Sequence, residues 1–176
     1  MSAIHICSLR LVDSVAADVG PSHVLSLLGG ITPFPATPAG VDPANHMKLI
    51  LADISAHEPG MITPAADHLQ DIIAFGERWA AESGGTRPLL VHCFAGISRS
   101  TASALTIACA IRPKVPEHAF ADALRAVSPS AHPNSLMIEH ADNLLGRQGR
   151  LSAAVEAMGP GDFSQAGPSF VLKLHV

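Results

Sequence analysis

The sequence predicts an α/β fold, with a central, mostly parallel sheet of four or five strands flanked by helices. Short runs rich in Val, Ile and Leu alternate along the chain with longer segments whose apolar residues recur at helical spacing. Two of these runs, Met47 to Ala52 and Leu89 to His92, carry few polar residues, as strands covered on both faces do, so both are expected at the centre of the sheet. The length of 176 residues suits one sizeable core, and a single domain over 1–176 is expected.

The first strand is expected at Ile4 to Leu9. The opening MSAIHICSLR lacks a basic segment followed by an apolar stretch and a small-residue cleavage site, so it reads as structure and not as a signal peptide. His23 to Leu28 is the second strand. Gly30 to Asn45, GITPFPATPAGVDPAN, is a long loop, because its prolines remove backbone donors and fix φ too often for helix or strand to persist. After the third strand, Thr63 can cap a helix with Pro64 at its first position, and Leu69, Ile72, Ile73, Trp79 and Ala80 line one face. Ser83-Gly84-Gly85 ends it.

Beyond the Leu89 to His92 strand, Thr101 to Ile111 is helical and stops before Pro113. Pro116 to Val127 and Asn134 to Leu145 make two more helices, the latter with a mixed face of Leu136, His140, Asn143 and Leu144. Past Leu151 the signals weaken, and about 158–176 reads as a surface tail.

Fifteen acidic residues against eleven basic ones give a formal net charge of −4, which argues against nucleic acid or an anionic membrane as a partner. No apolar run approaches the ~20 residues that cross a bilayer. Cys7, Cys93 and Cys109 are odd in number and widely spaced, fitting neither a disulfide framework nor a CxxC zinc site, so a reducing, cytoplasmic compartment is expected. The histidines, among them His57, His68, His118, His132 and His140, show no paired ligand spacing, and no metal is expected. Cys7 and Cys109 read as core residues.

The chemistry concentrates in VHCFAGISRS, Val91 to Ser100. A strand, a short loop and a helix in succession aim a ring of backbone N–H groups at one point, with the positive end of the helix dipole behind it, and such a ring binds an oxyanion. Ala95 and Gly96 let the loop turn tightly, and Arg99 offers a planar fork for two phosphate oxygens. Cys93 at the strand end would face the anion from below, where the same donors stabilise a thiolate. A thiolate in line with bound phosphate is a nucleophile for phosphoryl transfer, and Ser100 is close enough to hydrogen-bond the sulfur as it leaves.

His92-Cys93, Gly96 and Arg99-Ser100 match HCxxGxxR[ST], so the chain resembles the cysteine-dependent protein tyrosine phosphatases, and AGISRS is most similar to their dual-specificity branch. The resemblance runs from about Met47 to Leu145 and implies the phosphatase-type fold, with residues Phe94, Ala95, Gly96, Ile97, Ser98 and Arg99 cradling the phosphate and Cys93 attacking it. The family also uses an aspartate after an upstream central strand as general acid, and Asp53 in LILADISAHEPG resembles that position. A turn cap is the alternative for Asp53, and His57 and Glu58 are the alternative acids. RAVSPSAHPN, Arg125 to Asn134, resembles the family's connection into its last helix. By that resemblance Asn134 would brace the loop, or it is simply a helix N-cap. His92 would orient the loop, or is a satisfied core residue.

What the resemblance implies is a monomeric phosphatase for phosphorylated proteins or other phosphomonoesters, needing no cofactor. Ala95 and Ile97 stand where polyphosphate and lipid phosphatases of the superfamily often carry lysines, which disfavours phosphoinositides. With no tyrosine in the chain, an aromatic wall would come from Phe34 or Phe94. Two other functions remain: a phosphate- or phosphoprotein-binding module without turnover, and a persulfide sulfur carrier, against which the cysteine-to-arginine spacing speaks.

Overall fold

The computed structural model describes residues 3–165 and 167–175. Five strands, β1 (Ala3–Ser8), β2 (His23–Leu28), β3 (His46–Ile50), β4 (Leu89–Cys93) and β5 (Phe170–Lys173), form one sheet in the order β3-β2-β4-β1-β5. The first four run parallel and β5 is antiparallel to β1. Among the described residues six α-helices accompany them: α1 (Val12–Val19), α2 (Ala66–Ser83), α3 (Arg99–Ile111), α4 (Glu117–Val127), α5 (Ser135–Leu144) and α6 (Arg150–Ala157). The expected α/β class and mostly parallel sheet are what the chain adopts.

Strand pleating divides the core in two, since successive side chains point to opposite faces. Ile4, Ile6, Leu25, Leu27, Leu89, Val91 and Cys93 enter the larger cluster with α2 to α6, whereas Cys7, Val24 and Leu90 join Val12, Val15 and Ala16 of α1 and Val41 of the proline-rich loop. Each fully buried Leu or Ile in these layers contributes about 1.5–3 kcal/mol. α2 and α3 approach closely because Gly76 faces Ile107, where an added Cβ would come within 2.6 Å of the isoleucine side chain.

Several expectations are corrected. β3 is an edge strand and not a central one. Its burial alternates, with Met47 and Leu49 packed on the core while Lys48 and Ile50 are exposed, so an apolar composition hid a one-sided strand. α2 begins at Ala66, two positions past Pro64, and its N-terminus is closed by the Ala65 N–H donating to His68 Nδ1 at 3.1 Å. α5 buries Met137, Ile138, Ala141 and Asp142, in place of the mixed face expected around Leu136, His140, Asn143 and Leu144. The expected tail is only partly a tail: α6 precedes it, and β5 completes the sheet with Leu172 fully buried. Among the described residues, no helix is long and apolar enough to cross a membrane.

Candidate active site

β4 ends at Cys93 and α3 begins at Arg99, so residues 94–98 must turn the chain sharply. Gly96 makes this possible with φ of 76°, and a Cβ there would lie 2.7 Å from the Cys7 carbonyl carbon and 2.8 Å from Ser8 N. The loop carbonyls are held from outside. Phe94 O accepts from Leu9 N at 3.2 Å, Ile97 O from His132 N at 3.0 Å and Thr101 Oγ1 at 2.5 Å, and Ser98 O from Thr101 Oγ1 at 2.8 Å. A trans peptide points its N–H opposite to its carbonyl, so the N–H groups of Ala95, Ser98 and Arg99 turn toward the loop interior. The Gly96 N–H reaches the Cys93 sulfur there, at 3.3 Å.

The Cys93 Sγ also contacts Ser100 Oγ at 3.2 Å, on the first turn of α3, whose dipole presents its positive end to the loop. Arg99 is buried and its Nη1 donates to the Leu51 carbonyl at 2.9 Å, which fixes the direction of the guanidinium fork. Its Nε is buried without a hydrogen-bond acceptor, 3.7 Å from Asp53 Oδ2. Nε thus stands at ion-pair distance from a carboxylate yet makes no hydrogen bond, and a buried N–H in that state is costly until an acceptor such as an oxyanion completes it. His92 is fully buried behind the loop with its Nε2 on Ser26 Oγ at 2.5 Å, and burial pushes its pKa down to about 4, leaving the ring neutral at physiological pH. Burial pushes the Cys7 and Cys109 thiols up to about 12.

Asp53 lies just beyond β3, where Leu51 N still pairs with Leu28 O at 3.0 Å and Ala52 N closes the following loop on Ile62 O at 2.8 Å. Its Oδ1 accepts from Ser98 Oγ at 2.6 Å and from Asn134 Nδ2 at 3.0 Å. Asn134 caps α5 through Oδ1, which accepts from Met137 N at 3.0 Å, and its amide also donates to Ile54 O at 3.1 Å. The N-cap and the contact with Asp53 therefore coexist in one side chain. The partner role of Ser98 toward Asp53 had no sequence signal beyond its place in the loop, because it arises from a contact across 45 residues.

A cavity of about 560 Å³ opens over the loop, lined by Asp53, Arg99 and Phe94 with Gly29 to Thr32, Ala52, Ile54 and Gly60 to Ile62. Neither His57 nor Glu58 lines it. His57 is turned to Thr63 Oγ1 at 3.2 Å, and Glu58 is exposed. Phe94 supplies an aromatic wall, 61 % exposed, and Phe34 is absent from the lining. A slightly larger hollow of about 640 Å³ between α5 and α6 has no arginine or lysine in its lining, whereas Arg99 and Asp53 line the first. Among the described residues, no group of three or more His, Cys, Asp or Glu could hold a metal ion.

No family model and no curated protein matches the sequence. Solved structures do match the fold. Human DUSP28 aligns over 82 % of this chain and 94 % of its own, at 21 % identity and a TM-score of 0.59. DUSP15 aligns over 88 % and 90 % respectively, at 20 % identity and a TM-score of 0.60. PTPMT1 in complex with PI(5)P aligns over 82 % and 90 %, at 15 % identity and a TM-score of 0.62. The sheet, the strand-to-helix loop at Cys93 and these likenesses together show that the chain has the fold of the dual-specificity phosphatases.

Proposed function

We propose that the protein is a phosphomonoester hydrolase working through a phosphocysteine intermediate, acting on phosphorylated protein side chains in a reducing, cytoplasmic compartment. The observation that carries this reading is the union, in one loop, of a sulfur receiving a backbone N–H and a serine hydroxyl with a buried arginine whose Nε has no hydrogen-bond acceptor. In the first displacement the Cys93 thiolate attacks phosphorus. The S–P bond forms as the ester P–O bond breaks, while Arg99 and the loop amides hold the equatorial oxygens. The leaving oxygen takes a proton from Asp53. Ser98 and Asn134 both donate to Oδ1, so that proton rides on Oδ2, the oxygen nearer Arg99. Water then attacks the phosphocysteine and gives its proton to the Asp53 carboxylate. Phosphate departs, and the sulfur leaves with the help of the Ser100 hydroxyl.

Among the described residues Arg99 is the one cation lining the cavity, and Ile31, Met61, Ile62 and Phe94 are exposed around its mouth. A single phosphate borne on an apolar or aromatic group fits this rim better than a polyphosphate headgroup does. The test is hydrolysis of para-nitrophenyl phosphate with reductant and chelator, beside Cys93→Ser. Chelator-resistant turnover lost in the variant is expected. A folded wild type that binds vanadate without turning over the ester would overturn the enzyme reading in favour of a phosphate-binding module.

A further inference from the structure

A second hollow adjoins the catalytic cavity. About 420 Å³ in volume, it is lined by Ser8, Leu9 and Arg10 where β1 ends and by Phe94, Ala95 and Ile97 of the loop after Cys93. Phe94 lines the cavity as well, so its exposed ring stands between the two. On the cavity side of that ring the exposed neighbours, Ile31, Met61 and Ile62, are apolar. On the far side the hollow holds the Arg10 guanidinium, and no acidic residue among the described ones lines it.

The backbone under Arg10 is tied to that loop. Ser8 and Cys93 are register partners, Leu9 N donates to Phe94 O at 3.2 Å, and Gly96 packs against the Cys7 and Ser8 backbone with no room for a Cβ. Two residues past Ser8, the Arg10 Cα therefore lies within about 12 Å of the Cys93 Cα, counting about 3.6 Å per residue and about 4.8 Å between strands. An extended peptide advances about 3.3–3.6 Å per residue, so a side chain one to three positions from a bound phosphoresidue comes within reach of the guanidinium. Arg10 is exposed, and among the described residues it has neither a hydrogen bond nor an ion pair. Its charge is permanent and its five N–H donors match a carboxylate.

We propose that Arg10 is a specificity-determining residue that receives an acidic side chain of a phosphopeptide substrate, one to three positions from the phosphoresidue and on one flank only. For turnover this rests on the phosphatase reading, and for binding it needs only that the loop holds a phosphate. The flank is single because the other ways out of the site do not suit an anion. Ile31, Met61 and Ile62 make an apolar rim, and past Ile97, whose carbonyl accepts from His132 N, the hollow between α5 and α6 is lined by Glu139 and Glu156. The formal net charge of −4 opposes an acidic peptide at long range, so a preference for one has to come from a local cation.

Two sets of fluorescein-labelled phosphotyrosyl peptides test this, one varied at the three positions before the phosphoresidue and one at the three after it, each as all Glu, all Gln or all Lys. In one set the wild-type kcat/KM should favour Glu over Lys about fivefold, the scale of one exposed ion pair, and the ratio should shrink as salt is raised. Arg10→Gln should bring that ratio to one or below, and Arg10→Glu should reverse it, which general damage to the fold does not do. Equal rates for all three charges in both sets, or a Glu preference that survives in Arg10→Glu, would overturn the proposal. Anisotropy titrations of the same peptides on Cys93→Ser, with and without Arg10→Glu, read the preference without turnover. Charge-dependent binding that reverses with Arg10→Glu, beside a wild type that hydrolyses none of the peptides, would keep the role of Arg10 and strike only the phosphatase reading. Turnover indifferent to charge would strike only the role of Arg10, and neither binding nor turnover of any peptide would overturn both.

Discussion

The three cysteines occupy different electrostatic settings, and their reactivity should divide accordingly. Cys7 and Cys109 sit in the core with thiols pushed up to about 12 by burial, so neither supplies thiolate near neutrality. Cys93 is equally buried by its own surface, yet its sulfur faces the Gly96 N–H and the Ser100 hydroxyl at the base of the loop. Brief iodoacetamide treatment of the folded protein at pH 7 should therefore give one adduct, at Cys93, by peptide mass mapping; labelling of Cys7 or Cys109 at a comparable rate would contradict these settings. Asp53 admits a sharper test. Asp53→Asn keeps an oxygen for the Ser98 and Asn134 donors, so the brace survives while the transferable proton is lost. General-acid loss should cost about 10²- to 10⁴-fold for an alkyl phosphate and far less for para-nitrophenyl phosphate. Equal losses in kcat/KM for both esters would make Asp53 a brace and not the acid.

At the scale of elements, the C-terminal helices are joined to the core by buried polar groups. Asp142 of α5 takes Gly149 N at 2.6 Å, Leu151 N at 2.8 Å and Ser152 N at 3.0 Å, which caps the start of α6 from another helix. Arg147 ties Cys109 O at 2.6 Å and Pro113 O at 3.1 Å to Glu117 at 3.2 Å. Asp142→Ala should cost roughly 2–4 kcal/mol, because three N–H groups lose a charged acceptor together, read as a lower urea midpoint at unchanged slope. An unchanged midpoint would show that α6 holds itself. These contacts also explain what could be read in advance. β2 was legible from His23 to Leu28 because its apolar run and its boundaries are local, and the 92–100 loop because its residue types are dictated by the turn itself. α6 has eight residues and a cap supplied from seven to ten positions upstream, and β5 has four residues whose partner β1 lies some 165 positions away. No local window contains that information. The edge position of β3 was hidden for the same reason, since composition shows apolar residues and not which neighbour covers them.

For the whole molecule, neutral buried histidines make acid stability a property of the sheet. His46 and His92 both have pKa values pushed down to about 4, and burial also lowers those of His5 and His23. In the unfolded chain each returns to about 6.5. Below that value the unfolded state binds more protons than the folded one, so the stability these groups confer is complete above about pH 6.5 and is lost as pH falls toward 4. For His92 alone the loss by pH 4 is on the order of 3 kcal/mol, a large share of the few to fifteen kcal/mol that such a chain commands. Urea midpoints at pH 7.5, 6 and 5 should fall steadily, and His46→Gln should flatten the decline by removing one titrating ring while leaving an amide to hydrogen-bond Ser26. A midpoint constant from pH 7.5 to 5, or a decline identical in the two proteins, would mean that His46 is not held neutral in the fold. The sheet that aims Cys93 into the loop would then owe its acid sensitivity to other groups.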